Sequence, residues 1–394
     1  MFPSVFDEEG DVAPDAATLN LKTYKNNPEW KDIQPVESVD GDQEDDGAVV
    51  VPVVSIIYSE KFKEVFSYVW AIVKSGELSP RVLELTGDAI RLDVAHYTVW
   101  QLRRDTLQAV KVPHLISENG LDHEFEKEFA FTAEILKENP KNYQPWQHQM
   151  ALVSWAIGHE EGEVASPEMK TMSLPSKILE PILKRELKLT EEILNNDPKN
   201  YHAWQHRQWI LRVFKGIFPN LPEDELVFVK TLLEKDVRNN SAWNQRNFVF
   251  VQMIRDFSEV NLAKEISETW KFLKVALSNE SAWSYLRSVI NLADSGFKIG
   301  LQKELLSCCK LLLKTEEGVI SSSVQMMTFY IDVVNELLCA GEDAYIKEYA
   351  GVICLFDTLT KMDPIRTHYW EFAKQKFMAE HAEVAEQKTC CQPT

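Results

Sequence analysis

Glycine and cysteine are scarce in this 394-residue chain, with 14 of the first and six of the second. The cysteines stand at 308, 309, 339, 354, 390 and 391, and no two make a C-x-x-C pair. Adjacent or scattered cysteines are the pattern of reduced thiols, not of a disulfide framework. No run of 18 apolar residues occurs, and the start MFPSVFDEEG is acidic where a secretion signal would be basic. A cytoplasmic chain without a transmembrane segment is therefore expected. Cations are outnumbered, 42 Lys and Arg against 61 Asp and Glu, for a net charge of −19. Such a field opposes phosphate backbones and argues against nucleic acid as a partner. Phosphate-binding motifs are missing too: neither G-x-x-x-x-G-K-[ST] nor G-x-G-x-x-G appears. HEEGE at 159–163 fails as a zinc motif because Glu163 stands where a second histidine must be. With no metal ligand set and no D-D-x-x-D pattern, the residues describe a scaffold more than a self-sufficient enzyme.

What the chain has instead is a phrase used five times. HYTVWQLRR, NYQPWQHQM, NYHAWQHRQ, NNSAWNQRN and NESAWSYLR lie at 96–104, 142–150, 200–208, 239–247 and 279–287. Their tryptophans, Trp100, Trp146, Trp204, Trp243 and Trp283, recur at intervals of about 40 residues, the mark of a stacked helical repeat. EILKENPKNY (134–143) and EILNNDPKNY (192–201) agree at seven of ten positions. In the third copy Asn200 is placed to cap a helix, with Tyr201, Trp204 and Gln208 on one face. Arg207 and Arg246, three residues after their tryptophans, are expected to reach carbonyls or acids of the preceding helix. These tryptophans and arginines are read as packing between repeats. Histidines at 96, 123, 148, 202 and 206 are read as structural or surface groups.

Helical periodicity begins near residue 60 in SEKFKEVFSYVWAIVKSG, which Gly76 should stop. The next helix should open with Ser79 as N-cap and Pro80 in its first turn. Residues 1–48 hold 13 acidic residues against three lysines and are expected to be a disordered tail. Within it, Trp30 and Ile33 could pin PEWKDIQPV to a surface. An extended segment at 49–58 should lead into an all-α repeat domain spanning 49–380, and 381–394 should fray. A loop insertion at 157–177 accounts for the long second interval and is placed between the helices of one unit. Beyond 300 the phrase fades, with Trp370 as a degenerate last copy.

These phrases resemble the protein prenyltransferase α-subunit repeat, whose signature is Asn-Tyr-x-x-Trp-x-x-Arg at helix starts. NYHAWQHRQW, DVRNNSAWNQR and NESAWSYL look like the α subunit shared by protein farnesyltransferase and geranylgeranyltransferase type I. PEWKDIQPV, VSIIYSEKFKEVF and HYTVWQLRRD extend the likeness to about 28–377. The resemblance implies a right-handed α-α superhelix, a crescent of antiparallel hairpins around a catalytic β subunit that carries zinc, with magnesium serving the farnesyl activity. It implies transfer of a prenyl group from its diphosphate to the cysteine of C-terminal CaaX proteins, the α subunit being inactive alone. Residue by residue, it places the diphosphate-contacting lysine at Lys141 and the adjacent active-site tyrosine at Tyr143. The glutamine facing the CaaX carboxylate falls on Gln144. Substrate-channel positions fall on Asn200, Tyr201, His202 and Tyr97. His96 and Gln149 depart from the signature. The alternative reading is a non-catalytic repeat adaptor that binds peptides or partner proteins.

Overall fold

Fifteen α-helices carry most of the residues that the computed structural model describes, namely 21–36, 56–110, 116–117, 120–158, 176–313 and 323–382. The chain divides into two compact units, Met1–Ile217 and Phe218–Thr394.

The first unit contains α1 (Glu60–Ser75), α2 (Pro80–Leu92), α3 (Tyr97–Val110), α4 (His123–Glu138), α5 (Tyr143–Ala156), α6 (Ser176–Asn196) and α7 (Tyr201–Phe214). Ser59 caps α1 through a bond from the Phe62 amide (3.1 Å), and Gly76 ends it in the left-handed conformation at φ 69°. That φ is open to glycine at no steric cost. Helices α2 and α3, α4 and α5, and α6 and α7 form hairpins, and α3, α5 and α7 lie side by side. A two-residue antiparallel ladder, Ile116–Ser117 with Gly120–Leu121, interrupts the path from α3 to α4.

The second unit contains α8 (Leu221–Lys235), α9 (Asn240–Asn247), α10 (Glu259–Val275), α11 (Glu280–Ile290), α12 (Ser295–Leu313), α13 (Val324–Cys339), α14 (Tyr349–Met362) and α15 (Thr367–Glu380). It repeats the plan, with hairpins α8–α9, α10–α11, α12–α13 and α14–α15. A π-helical turn, Phe248–Ile254, prolongs α9 and stops at Arg255, the one non-glycine with positive φ among the described residues (56°).

One device recurs in both units. Each phrase tryptophan is buried and donates its indole N–H to the carbonyl six residues earlier, in the turn before its helix. The pairs are Trp100–Val94, Trp146–Pro140, Trp204–Pro198, Trp243–Val237 and Trp283–Leu277, at 2.7–2.9 Å. Trp is thus a turn clamp as well as core. At about 200 Å2 apiece, each contributes about 5 kcal/mol of apolar burial against an extended chain. Arg207 behaves as expected, donating to the Leu187 carbonyl and the Thr190 hydroxyl.

The structure corrects several expectations. Trp30 and Ile33 pin their segment as expected, but the packed part begins earlier than PEWKDIQPV: Tyr24 is buried with Trp30 in the core made by α1, α2 and α3. The Tyr24 hydroxyl donates to Asp88 (2.7 Å), and its amide donates to Glu64 (2.7 Å). Residues 1–20 and 37–55 lie outside the described residues, so most of the acidic tail and of the 49–58 segment does too. Ile56 and Ile57 are exposed and outside regular structure. Ser79 precedes α2, but its side chain caps nothing; its hydroxyl donates to Glu77. The 157–177 insertion joins hairpin α4–α5 to hairpin α6–α7, not two helices of one unit, and α6 already begins at Ser176; residues 159–175 are outside the described residues. At the far end the chain is packed through His381, which is buried and bonded to Asn335 (2.8 Å); 383–394 are not described. Trp370 follows a variant of the clamp, donating to the Asp363 carboxylate (3.1 Å).

Candidate functional site at the helix starts of the first unit

The candidate residues lie on the turn that enters each second helix. In five hairpins this turn closes with the same backbone bond, from the residue before the helix to the carbonyl three back: His96–Asp93, Asn142–Asn139, Asn200–Asp197, Asn239–Asp236 and Asn279–Ala276. Asn142 accepts the Gln144 amide (3.0 Å), and Asn200 accepts the Ala203 amide (2.9 Å). These caps satisfy first-turn donors that otherwise lack partners. Lys141 and Lys199 therefore occupy matched places in matched turns.

Tyr97, Tyr143 and Tyr201 are the first residues of α3, α5 and α7, and they are 70%, 64% and 70% exposed. Because the three helices are neighbours and the tyrosines share one position, they line one end of the first unit. Tyr201 thus departs from the buried face that its spacing to Trp204 suggested. In the second unit the same position carries Asn240 and Glu280. Lys141 stands beside the tyrosine row with its side chain 82% exposed, its ammonium 3.9 Å from Asp197 on the neighbouring turn. A tyrosine presents an apolar ring with a polar tip, and a lysine is a mobile point charge. Together they suit an anionic head attached to an apolar body.

Gln144 and Asn200 are buried, and His202 is half-buried with its ring edge-on to Tyr201 (5.6 Å). Asn200 has both amide atoms engaged: beyond the cap, its Nδ2 donates to the Pro140 carbonyl (3.3 Å) in the preceding turn. Lys141, Tyr143, Gln144, Asn200, Tyr201 and His202 thus gather on two adjacent turns. Tyr97 holds the same position one hairpin away.

Sequence reasoning missed a set of buried acids that recurs in both units. Four glutamates are buried twenty residues before the second residue past a phrase tryptophan, and each is bonded to that residue. The pairs are Glu128–His148, Glu186–His206, Glu225–Gln245 and Glu265–Tyr285, at 2.6–2.8 Å. At two of them the arginine of the preceding repeat joins in. Arg103 grips Glu128 through two bonds of 2.7 Å, and Arg246 grips Glu265 at 2.6 and 3.0 Å. At Glu186 that place is taken by Gln149 (2.8 Å). Burial pushes the Glu128 carboxyl up, but Arg103 and His148 outweigh it and hold it down to about 2. The fixed interval of twenty was the available signal. Among the described residues, no group of three or more His, Cys, Asp or Glu is arranged to hold a metal.

The protein prenyltransferase alpha subunit repeat matches residues 125–156, 183–214 and 222–253. The protein farnesyltransferase/geranylgeranyltransferase type-1 subunit alpha of Pisum sativum is 33% identical over 378 residues, 94% of this chain and 96% of that one. The chain belongs to the protein prenyltransferase α-subunit family. Its function is that of an α subunit of protein farnesyltransferase/geranylgeranyltransferase type I. The corresponding subunit of Arabidopsis thaliana is 32% identical over 356 residues, 88% of this chain and 94% of that one. The solved structure described as Candida albicans protein geranylgeranyltransferase-I complexed with GGPP shares the fold. It has a TM-score of 0.64 and 23% identity, covering 88% of this chain and 97% of that one. Among the described residues no helix of this α subunit is long and apolar enough to cross a membrane.

Proposed function

We propose that this α subunit pairs in the cytoplasm with a catalytic β subunit of farnesyltransferase or geranylgeranyltransferase type I. The pair moves a farnesyl or geranylgeranyl group from its diphosphate to the cysteine thiol of CaaX proteins. Zinc is assigned to the β subunit, with magnesium serving the farnesyl reaction. In this reading Lys141 meets the diphosphate with Tyr143 beside it in the active site, and Tyr97, Gln144, Tyr201 and His202 form the substrate rim, with Asn200 buried behind them. The carrying observation is the exposed ammonium of Lys141, on the turn between the first and last of the three exposed tyrosines. As the prenyl–oxygen bond breaks, negative charge grows on the departing diphosphate. A cation already held at that place stabilises the transition state more than the ground state.

The matched lysines supply the test. In the assembled heterodimer, Lys141→Ala should slow single-turnover prenyl transfer about 100-fold, with affinity for prenyl diphosphate changed less. Lys199→Ala should leave the rate near that of the parent. Equal, small effects from the two substitutions would remove Lys141 from the chemistry.

A further inference from the structure

We propose that Asn200 is a positioning residue for Lys141, acting from the next repeat through the Pro140 carbonyl. The proposal rests on the reading of Lys141 given above. Pro140 is the residue immediately before Lys141, and its carbonyl receives two side-chain donors. The Trp146 indole reaches it from within the same hairpin (2.9 Å), and the Asn200 amide reaches it from the following one (3.3 Å). Asn200 is 3% exposed and spends its other amide atom capping α7. Each polar atom of its side chain thus has a partner inside the fold. The same turn also supplies Asp197, whose carboxylate lies 3.9 Å from the Lys141 ammonium. The backbone that carries Lys141 is thereby tied to α7 at one point, and its head group faces an anion from the same turn.

The arrangement is built into the repeat. Asn279 donates to the Val237 carbonyl (2.6 Å), which also receives the Trp243 indole. Ser323 donates to the Leu277 carbonyl (2.6 Å), which also receives the Trp283 indole, while its hydroxyl accepts the Met326 amide. A serine can therefore do both jobs, capping and bridging. At position 200 alone of these three does the bridged carbonyl lead into a lysine, the neighbour of an exposed tyrosine. An exposed side chain of four methylenes has many rotamers, so its effective concentration at a reacting oxygen depends on how firmly its Cα is held.

Three substitutions in the complete heterodimer, assayed with farnesyl diphosphate and a CaaX peptide, decide the matter. Asn200→Asp keeps the cap but removes the bridging donor; Asn200→Ser keeps both; Asn279→Asp breaks the equivalent bridge away from Lys141. Asn200→Asp should lower the single-turnover rate about 10- to 100-fold with little change in peptide KM. Asn200→Ser should restore most of it, and Asn279→Asp should leave it intact. In a Lys141→Ala background Asn200→Asp should cost almost nothing further. A loss from Asn200→Asp that persists undiminished in that background, or an equal loss from Asn279→Asp, overturns the positioning role while leaving Lys141 in place. Should Lys141→Ala itself prove silent, it is the reading of Lys141 that fails. If Asn200→Asp does not assemble, Trp146→Phe removes the other donor from the same carbonyl and is judged by the same coupling to Lys141.

Discussion

Glu128 shows how single residues set the seams between hairpins. Its carboxylate is buried, doubly bonded by Arg103 from the hairpin before, and bonded again by His148 from its own. Removing one side of a buried pair strands the other charge, so Arg103→Ala should cost about 3–5 kcal/mol, read as a lowered midpoint in denaturant. Burial drives the His148 imidazole below its ordinary 6.5, against the pull of Glu128. The folded chain then stays neutral at His148 while the unfolded chain takes up a proton. This contribution is present above pH 6.5 and is lost as the pH falls below it. The Glu128 contribution is present above its ordinary 4.5 and disappears toward 2. His148→Gln, which keeps a donor as Gln245 does for Glu225, should flatten the fall in stability between pH 6.5 and 5 relative to the parent. A parallel pair of pH–stability curves would contradict this. The arginines were legible because they sit in the repeated phrase. The glutamates were not, since one more acid among 61 reads as a solvated helix face.

At the scale of elements, neighbouring hairpins meet through one ring contact. Four phrase tryptophans lie against the residue two past the next tryptophan position: Trp100 on His148, Trp146 on His206, Trp243 on Tyr285 and Trp283 on Phe329, at 4.9–5.5 Å. The last pair reveals that α12–α13 is a full repeat whose tryptophan place is taken by the buried Met327 and whose cap is Ser323. Its sequence hid this because shape and burial, not residue identity, are what the neighbour requires. The seam at Glu186 differs in charge from those at Glu128 and Glu265, with neutral Gln149 in the arginine place and the Gln149 carbonyl oxygen left without a partner. Gln149→Arg should give Glu186 a charged two-bond partner and raise the melting temperature, most visibly at low salt. At the chain start, Tyr24→Ala should cost about 3–5 kcal/mol by emptying the core beside Trp30, checked by chemical denaturation. A truncation that begins at Pro28 should therefore weaken the protein even though it leaves every repeat phrase in place.

For the whole molecule, the expected division of labour is a chain that frames the reaction and a partner that performs it. Purified alone, this subunit should give no detectable transfer of a prenyl group to a CaaX peptide and no stoichiometric zinc by elemental analysis. Co-expression with a β subunit should restore both. Turnover by the isolated chain would contradict that division. The all-α class, the hairpin order and the family were written in the sequence, because tryptophan spacing and helix caps are local signals that repeat. Lys141, Tyr143 and Tyr201 could be picked out there as residues, but not ranked by exposure or availability. That Asn200 is consumed within the fold, that Tyr24 belongs to the core and that Glu128 is held ionised by Arg103 were decided by tertiary structure alone. Each depends on groups 25 to 64 residues apart in the chain. No local propensity encodes which distant carbonyl or cation will stand opposite a side chain once the hairpins have stacked.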